Sequence, residues 1–138
     1  MWSTEASQIT AAPAAAVWTL YTDVANWKRW DEGIASSELR GSFQTGSRGT
    51  MLNHGAPAPL EFTLTDVQPL RYFSDDTTLP GATISFEHTL ERVADGTRIT
   101  HRATIHGEAW ERYAAMFGAN LEHGVHEAVS SLARLAEG

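Results

Sequence analysis

The stretch from Ala109 to Ala136 most constrains how this chain can fold. Trp110, Ala114, Phe117, Leu121, Val125, Ala128, Leu132 and Leu135 recur at steps of three and four. That spacing places them all on one face of a single helix. At about 1.5 Å per residue the helix is roughly 40 Å long, well beyond the usual globular helix. Such a helix needs a broad apolar surface to lie on, and the rest of the chain must supply it. Gly118 and Gly124 interrupt the helix, each at a cost of about 1 kcal/mol relative to Ala. They mark a bend, a close approach, or plain solvated surface.

Composition narrows the functional classes. With 138 residues, one domain spanning the whole chain is expected. The formal charge is -7 and Lys28 is the only lysine. No basic cluster exists, so no nucleic-acid partner is expected. There is no cysteine, which excludes disulfides, thiolate ligands and a cysteine nucleophile. No apolar run approaches the length of a membrane span, and no signal peptide is visible. A cytoplasmic protein is the default expectation. The many alanines, and arginine in place of lysine, suggest a GC-rich bacterial genome.

The chain before the long helix changes period twice. Trp2 to Thr10 is compatible with a strand. Ala11-Ala12-Pro13 opens a helix, with proline near the first helical position. Val17, Leu20, Tyr21 and Val24 are spaced for one buried face of it. Asp23 is placed to cap a second short helix, which carries Trp27 and Trp30 on one side. Strands are expected at Ile34 to Arg40, Arg48 to Asn53, Leu60 to Thr65 and Arg71 to Asp76. The prolines and glycine of His54 to Pro59 make that segment a loop. In the fourth of these strands, Asp75 and Asp76 read as solvated charges near a turn.

The clearest hairpin follows. Ile84, Phe86, His88 and Leu90 alternate with polar residues, and so do Ile99, His101, Ala103 and Ile105. Ala94-Asp95-Gly96 lies between them as the turn. A turn centred on Ala94-Asp95 pairs His88 with His101. A turn centred on Asp95-Gly96 sets His88 opposite Ala103. Both registers keep the two histidines on the apolar face, because only odd slips exchange faces. The order is thus a strand, two short helices, further strands and one long helix. This is an α+β pattern, with a curved antiparallel sheet of about six to seven strands wrapped around the long C-terminal helix.

The element order, Pro13-Ala14-Ala15-Ala16-Val17-Trp18, the Asp23 to Asp31 run with Trp27 and Trp30, and Gly96-Thr97-Arg98-Ile99-Thr100-His101 carry a resemblance. Together they resemble the START-like helix-grip superfamily (SRPBCC), in its polyketide cyclase/dehydrase-like branch. The resemblance covers nearly the whole chain and rests mostly on fold-determining motifs. It implies an apolar ligand held between sheet and helix. Some members cyclise or dehydrate polyketides and others carry lipids or hormones. Catalytic residues differ between members, so none is carried over, and the fold by itself does not give the function.

The residues themselves supply the candidates. His88 and His101 would stand as two imidazoles in an apolar interior. Burial favours their neutral forms, which suits a general base or a partner for a phenol or carbonyl. The bland alternative is a pair that bonds its neighbours and only lines the wall. Trp30, Phe62, Leu64, Phe73, Phe86, Tyr113, Met116, Phe117 and Asn120 are the candidate ligand-binding residues beside them, with ordinary core packing as the alternative for the aromatics. No metal site is expected. Two histidines leave a catalytic zinc site one ligand short, and His123 and His126 read as a solvated helix face. No glycine-rich phosphate loop is present, so no cofactor is implied.

The leading expectation is a domain that binds a hydrophobic, aromatic or polyketide-like small molecule, with cyclase- or dehydratase-type acid/base chemistry. A non-catalytic lipid or hydrophobic-ligand carrier or sensor is the second. A protein-interaction module with a filled core is the third. Oligomeric state is left open, a homodimer included.

Overall fold

The computed structural model describes residues 1–138. Strand β1 (Trp2–Thr10) leads into helix α1 (Ala14–Thr22) and a short 3-10 helix (Val24–Arg29). Strands β2 (Ile34–Arg40), β3 (Arg48–Asn53), β4 (Leu60–Gln68), β5 (Tyr72–Leu79), β6 (Ala82–Val93) and β7 (Gly96–His106) follow, and helix α2 (Trp110–Ala136) closes the chain. The strands form one antiparallel sheet in the order β1-β7-β6-β5-β4-β3-β2.

Bulges shape the sheet. The register shifts between Ile34 and Ser36 in β2, and between Leu64 and Asp66 in β4. An extra residue on one strand bends it and increases the local twist. The concave face is the apolar one, and α2 lies across it above β1 and β7. Close approach also needs small residues. A Cβ on Gly49 would collide with the Glu38 carbonyl and the Phe62 ring, so only glycine lets Phe62 lie flat on β3.

The two short N-terminal elements cover the rest of the concave side. Val17 and Tyr21 of α1, and Val24, Trp27 and Trp30 of the next segment, join Phe62, Leu64, Phe73, Ile99 and Leu132 in one cluster. The 3-10 helix is tied to β2 where the Ser37 hydroxyl donates to the Val24 carbonyl at 2.6 Å. Asp23 precedes this helix as expected but makes no capping hydrogen bond to its backbone. Its carboxylate instead accepts from the Asn26 side chain at 2.9 Å.

Helix α2 has two unlike halves. Val125, Ala128, Val129, Leu132 and Ala133 are buried, whereas Trp110, Ala114, Phe117 and Leu121 are only half-buried. The first half is pinned at its start. The Tyr113 hydroxyl donates to the Pro80 carbonyl at 2.8 Å, and the Ala109 amide donates to Gly81 at 2.9 Å. The helix glycines also differ. A Cβ on Gly118 would stand 3.3 Å from the Trp2 indole, a close approach, while one on Gly124 would meet nothing. No helix is long and apolar enough to cross a membrane.

Candidate functional site

The β6-β7 hairpin turns at Ala94-Asp95, with Val93 opposite Gly96, and this register pairs His88 with His101. Both side chains point to the concave face and are almost fully buried, at 6% and 5% exposure. Their rings stand 4.6 Å apart, nearly perpendicular. Ala6 of β1 lies opposite His101 on one side, and Phe73 of β5 lies opposite His88 on the other. The Phe73 ring stacks on His88 at 3.8 Å and 6°.

Each imidazole has one nitrogen fixed by the protein. His88 Nδ1 donates to the Phe73 carbonyl at 3.0 Å, because a carbonyl can only accept. The neutral ring therefore keeps its lone pair on Nε2. His101 Nε2 shares a 2.8 Å hydrogen bond with the Tyr21 hydroxyl. Burial pulls His88 down to about 4, opposed by its hydrogen bond to Phe73. His101 is also held well below the usual histidine range, by burial first and by the charge of His88 second. Burial raises Tyr21, so its phenol stays protonated. At neutral pH the group consists of two neutral imidazoles and a neutral phenol.

A further acid stands on the same face. Alternate residues of β5 face inward, so Phe73, Asp75 and Thr77 share the concave side. Asp75 is 3% exposed, which corrects the expectation of a solvated charge there. Strand β5 runs on to Leu79, past the expected end at Asp76, and this keeps Asp75 inside the sheet rather than at a turn. Burial, with the charges of Asp76 and Asp31, pushes its carboxyl up to about 8. Two more buried groups, Trp30 Nε1 and Thr77 Oγ1, have no hydrogen-bond partner in the protein.

The candidate ligand residues divide into three groups. Trp30, Phe62, Leu64, Phe73, His88 and His101 come together on the concave side, with the Trp30 ring 5.9 Å from His101. Tyr113 and Phe117 belong to a second cluster under the first half of α2, where Tyr113 is committed to Pro80, and Phe86 packs against both clusters. Met116 is 63% exposed and Asn120 is also exposed, so both stand open to solvent rather than in the interior.

Tyr21, Asp75 and Thr77 were not among the candidates from sequence. Tyr21 carried one available signal, a phenol on the buried stripe of α1. No three His, Asp or Glu side chains gather as a metal site. His123 faces solvent, with Nε2 3.3 Å from Glu32.

Two surface depressions lie elsewhere. One, of about 390 Å³, is on the convex face beside Tyr72, Glu87 and Arg102. The other, of about 420 Å³, is beside Pro13 and Val93.

A bulged antiparallel sheet closed around one long helix, with its polar groups buried on the concave side, defines a helix-grip domain. The chain belongs to the family described as polyketide cyclase / dehydrase and lipid transport, whose model matches residues 1–137. No curated protein matches it by sequence. Among solved structures it is similar to a protein from Thermobifida fusca, at 20% identity and a TM-score of 0.76, covering 99% of this chain and 95% of that one. It is similar to the Zhui aromatase/cyclase from Streptomyces sp. R1128, at 18% identity and a TM-score of 0.74, covering 99% and 93%. The di-domain aromatase/cyclase StfQ from the steffimycin biosynthetic pathway is 11% identical with a TM-score of 0.79, covering 98% of this chain and 50% of StfQ. At these identities the likeness is one of fold.

Proposed function

We propose that this protein binds a hydrophobic, aromatic or polyketide-like small molecule between the concave face and the first half of α2, and acts on it by acid/base chemistry of the cyclase or dehydratase type. The observation that carries this reading is the neutral His88–His101 pair. Each ring has one nitrogen fixed by the protein, and the other, Nε2 of His88 or Nδ1 of His101, makes no protein hydrogen bond. A neutral imidazole held in one orientation can take a proton from a carbon or hydroxyl next to a carbonyl. The other side chains around the pair are aromatic or aliphatic, which suits a fused-ring ligand. Entry under Trp110, Phe117 and Leu121, which are only half-buried, requires the first half of α2 to lift from the smaller cluster it covers.

A carrier that leaves its ligand unchanged is the second reading. It is favoured by the depth of the imidazoles, which limits proton exchange with water, and by the lipid-transport part of the family description.

A thermal-shift screen with aromatic polyketides, flavonoids, fatty acids and sterols tests the binding. A ligand at 100 times its dissociation constant stabilises the fold by about 2.7 kcal/mol. Product analysis then separates the two readings. Conversion of an aromatic ligand that is lost in His88→Gln supports catalysis. Tight binding of a fatty acid that returns unchanged supports a carrier. No shift with any class overturns both.

A further inference from the structure

Strand β5 places two polar side chains on the concave face where the pattern of a half-buried strand would place apolar ones. Asp75 is 3% exposed and so is Thr77. The Thr77 hydroxyl has no protein partner. Neither buried group is explained by packing, since an unpaired polar atom in the interior costs stability. Nothing cationic compensates the Asp75 carboxyl, and the charges that act on it are Asp76 of its own strand and Asp31 after the 3-10 helix.

We propose that Asp75 and Thr77 form a subsite for a neutral carbonyl group, whose oxygen accepts a hydrogen bond from each side chain. The proposal rests on the ligand-binding reading above and adds the chemistry by which the ligand is recognised. Two residues apart on one strand, their Cα atoms stand roughly 7 Å apart on the same face, and side chains inclined toward each other bring their oxygens within the roughly 5–6 Å that one acceptor oxygen spans. Asp75 serves as a donor because an ionised carboxylate would be stranded there, buried without a cation and within the field of two other acids. The upward displacement of its carboxyl to about 8 agrees with that, since it then keeps its proton at neutral pH. Trp30 Nε1, a group that can only donate, is the other buried atom without a partner, and it lies next in sequence to the Asp31 that acts on Asp75. The interior is therefore rich in donors and wants an acceptor.

The subsite is placed to serve the imidazoles. Asp75 pairs with Phe86, two residues from His88 on the same face of β6. Diagonal neighbours of this kind lie about 7–8 Å apart. A carbonyl held at Asp75 and Thr77 sets the carbons next to it toward His88 Nε2. The same site disfavours carboxylate ligands, whose full charge would be buried with no cation to pair it.

Calorimetric titration with three probes of one shape tests this: acetylnaphthalene, ethylnaphthalene and naphthoate. The wild-type protein is expected to bind the ketone at least about tenfold more tightly than the hydrocarbon, the effect of one well-made hydrogen bond, and to bind naphthoate more weakly than either. In Asp75→Leu the preference for the ketone collapses to about one, while hydrocarbon binding persists. Asp75→Asn retains a donor and retains the preference. Thr77→Val, nearly isosteric, reduces it and serves if Asp75→Leu does not fold. A wild-type protein that binds ketone and hydrocarbon equally, or a preference unchanged in both Asp75→Leu and Thr77→Val, overturns the subsite and leaves the ligand reading standing. A wild-type protein that binds neither overturns both.

Discussion

The Tyr21 hydroxyl lies 2.8 Å from His101 Nε2, joining the first helix to the last strand across 80 residues of sequence. This contact ties α1 to the sheet at its deepest point, where Tyr21 has no exposed surface. Tyr21→Phe keeps the ring and leaves the imidazole nitrogen unpartnered in the core. The expected loss is about 1–3 kcal/mol. Urea unfolding should show a lower midpoint with an unchanged slope. A midpoint equal to wild type would show that the hydrogen bond contributes nothing net.

Stability should pass through a maximum with pH. The histidines are depressed in the fold, so the unfolded chain binds more protons below about 6.5, and their contribution is regained as pH rises to that value. Asp75 works the other way. Its carboxyl is near 8 when folded, against about 3.9 when unfolded, so the folded state holds the extra proton in between. Stability from Asp75 falls as pH rises through that window, at about 1.4 kcal/mol per unit. Asp31, which burial also raises, adds with the same sign. Between pH 6.5 and 8 the histidines no longer titrate, and a decline of about 2 kcal/mol is expected. Urea midpoints across this range should show it. The decline should vanish in Asp75→Asn, and its persistence there would assign it to another group.

The halves of α2 predict unequal sensitivity. Leu132 is fully buried, and Leu132→Ala should cost about 2–5 kcal/mol. Met116 is largely exposed, and Met116→Gln should change stability by less than about 0.5 kcal/mol. Amide exchange should follow the same division, with faster opening near Met116 than near Leu132. Uniform protection along the helix would contradict the entry route assigned to its first half.

Two glycine-to-alanine changes should move stability in opposite directions. Gly124 faces open space in mid-helix, so Gly124→Ala should stabilise by about 1 kcal/mol. Gly49→Ala would press on the Phe62 ring and the Glu38 backbone, and should destabilise by about 1–3 kcal/mol. Thermal unfolding of the two variants beside wild type checks both signs.

Much of the architecture was legible because it follows from period. The three-and-four spacing from Trp110 to Leu135 and the alternation on either side of Asp95 specify one helix and one hairpin, whatever else the chain does. The same alternation put His88 and His101 on one face. The hairpin register was narrowed to two choices, and the structure takes the one with Ala94-Asp95 at the turn.

Asp75 escaped for a physical reason. The inward residues of β5 run Phe73, Asp75, Thr77, so the strand breaks the apolar alternation by which inward faces are recognised. Tyr21 was legible as buried but not as a partner, since nothing local says that its side chain reaches His101 of β7. Met116 and Asn120 were placed by helical phase alone. Phase locates a face, but not how far the sheet extends beneath it.

The pairing of His88 with His101 is set by a loop on the far surface. Val93 and Gly96 close a two-residue turn, and a Cβ at Gly96 would collide with the Thr10 carbonyl, so the turn is seated against the end of β1. Inserting one residue in the turn would exchange the faces of whichever strand slips, and inserting two would give one histidine a different cross-strand partner. Loop length at the rim thus acts as an index for which side chains meet in the interior. A lineage built on this scaffold could exchange its interior chemistry by insertion or deletion at the periphery, without altering a single residue of the core.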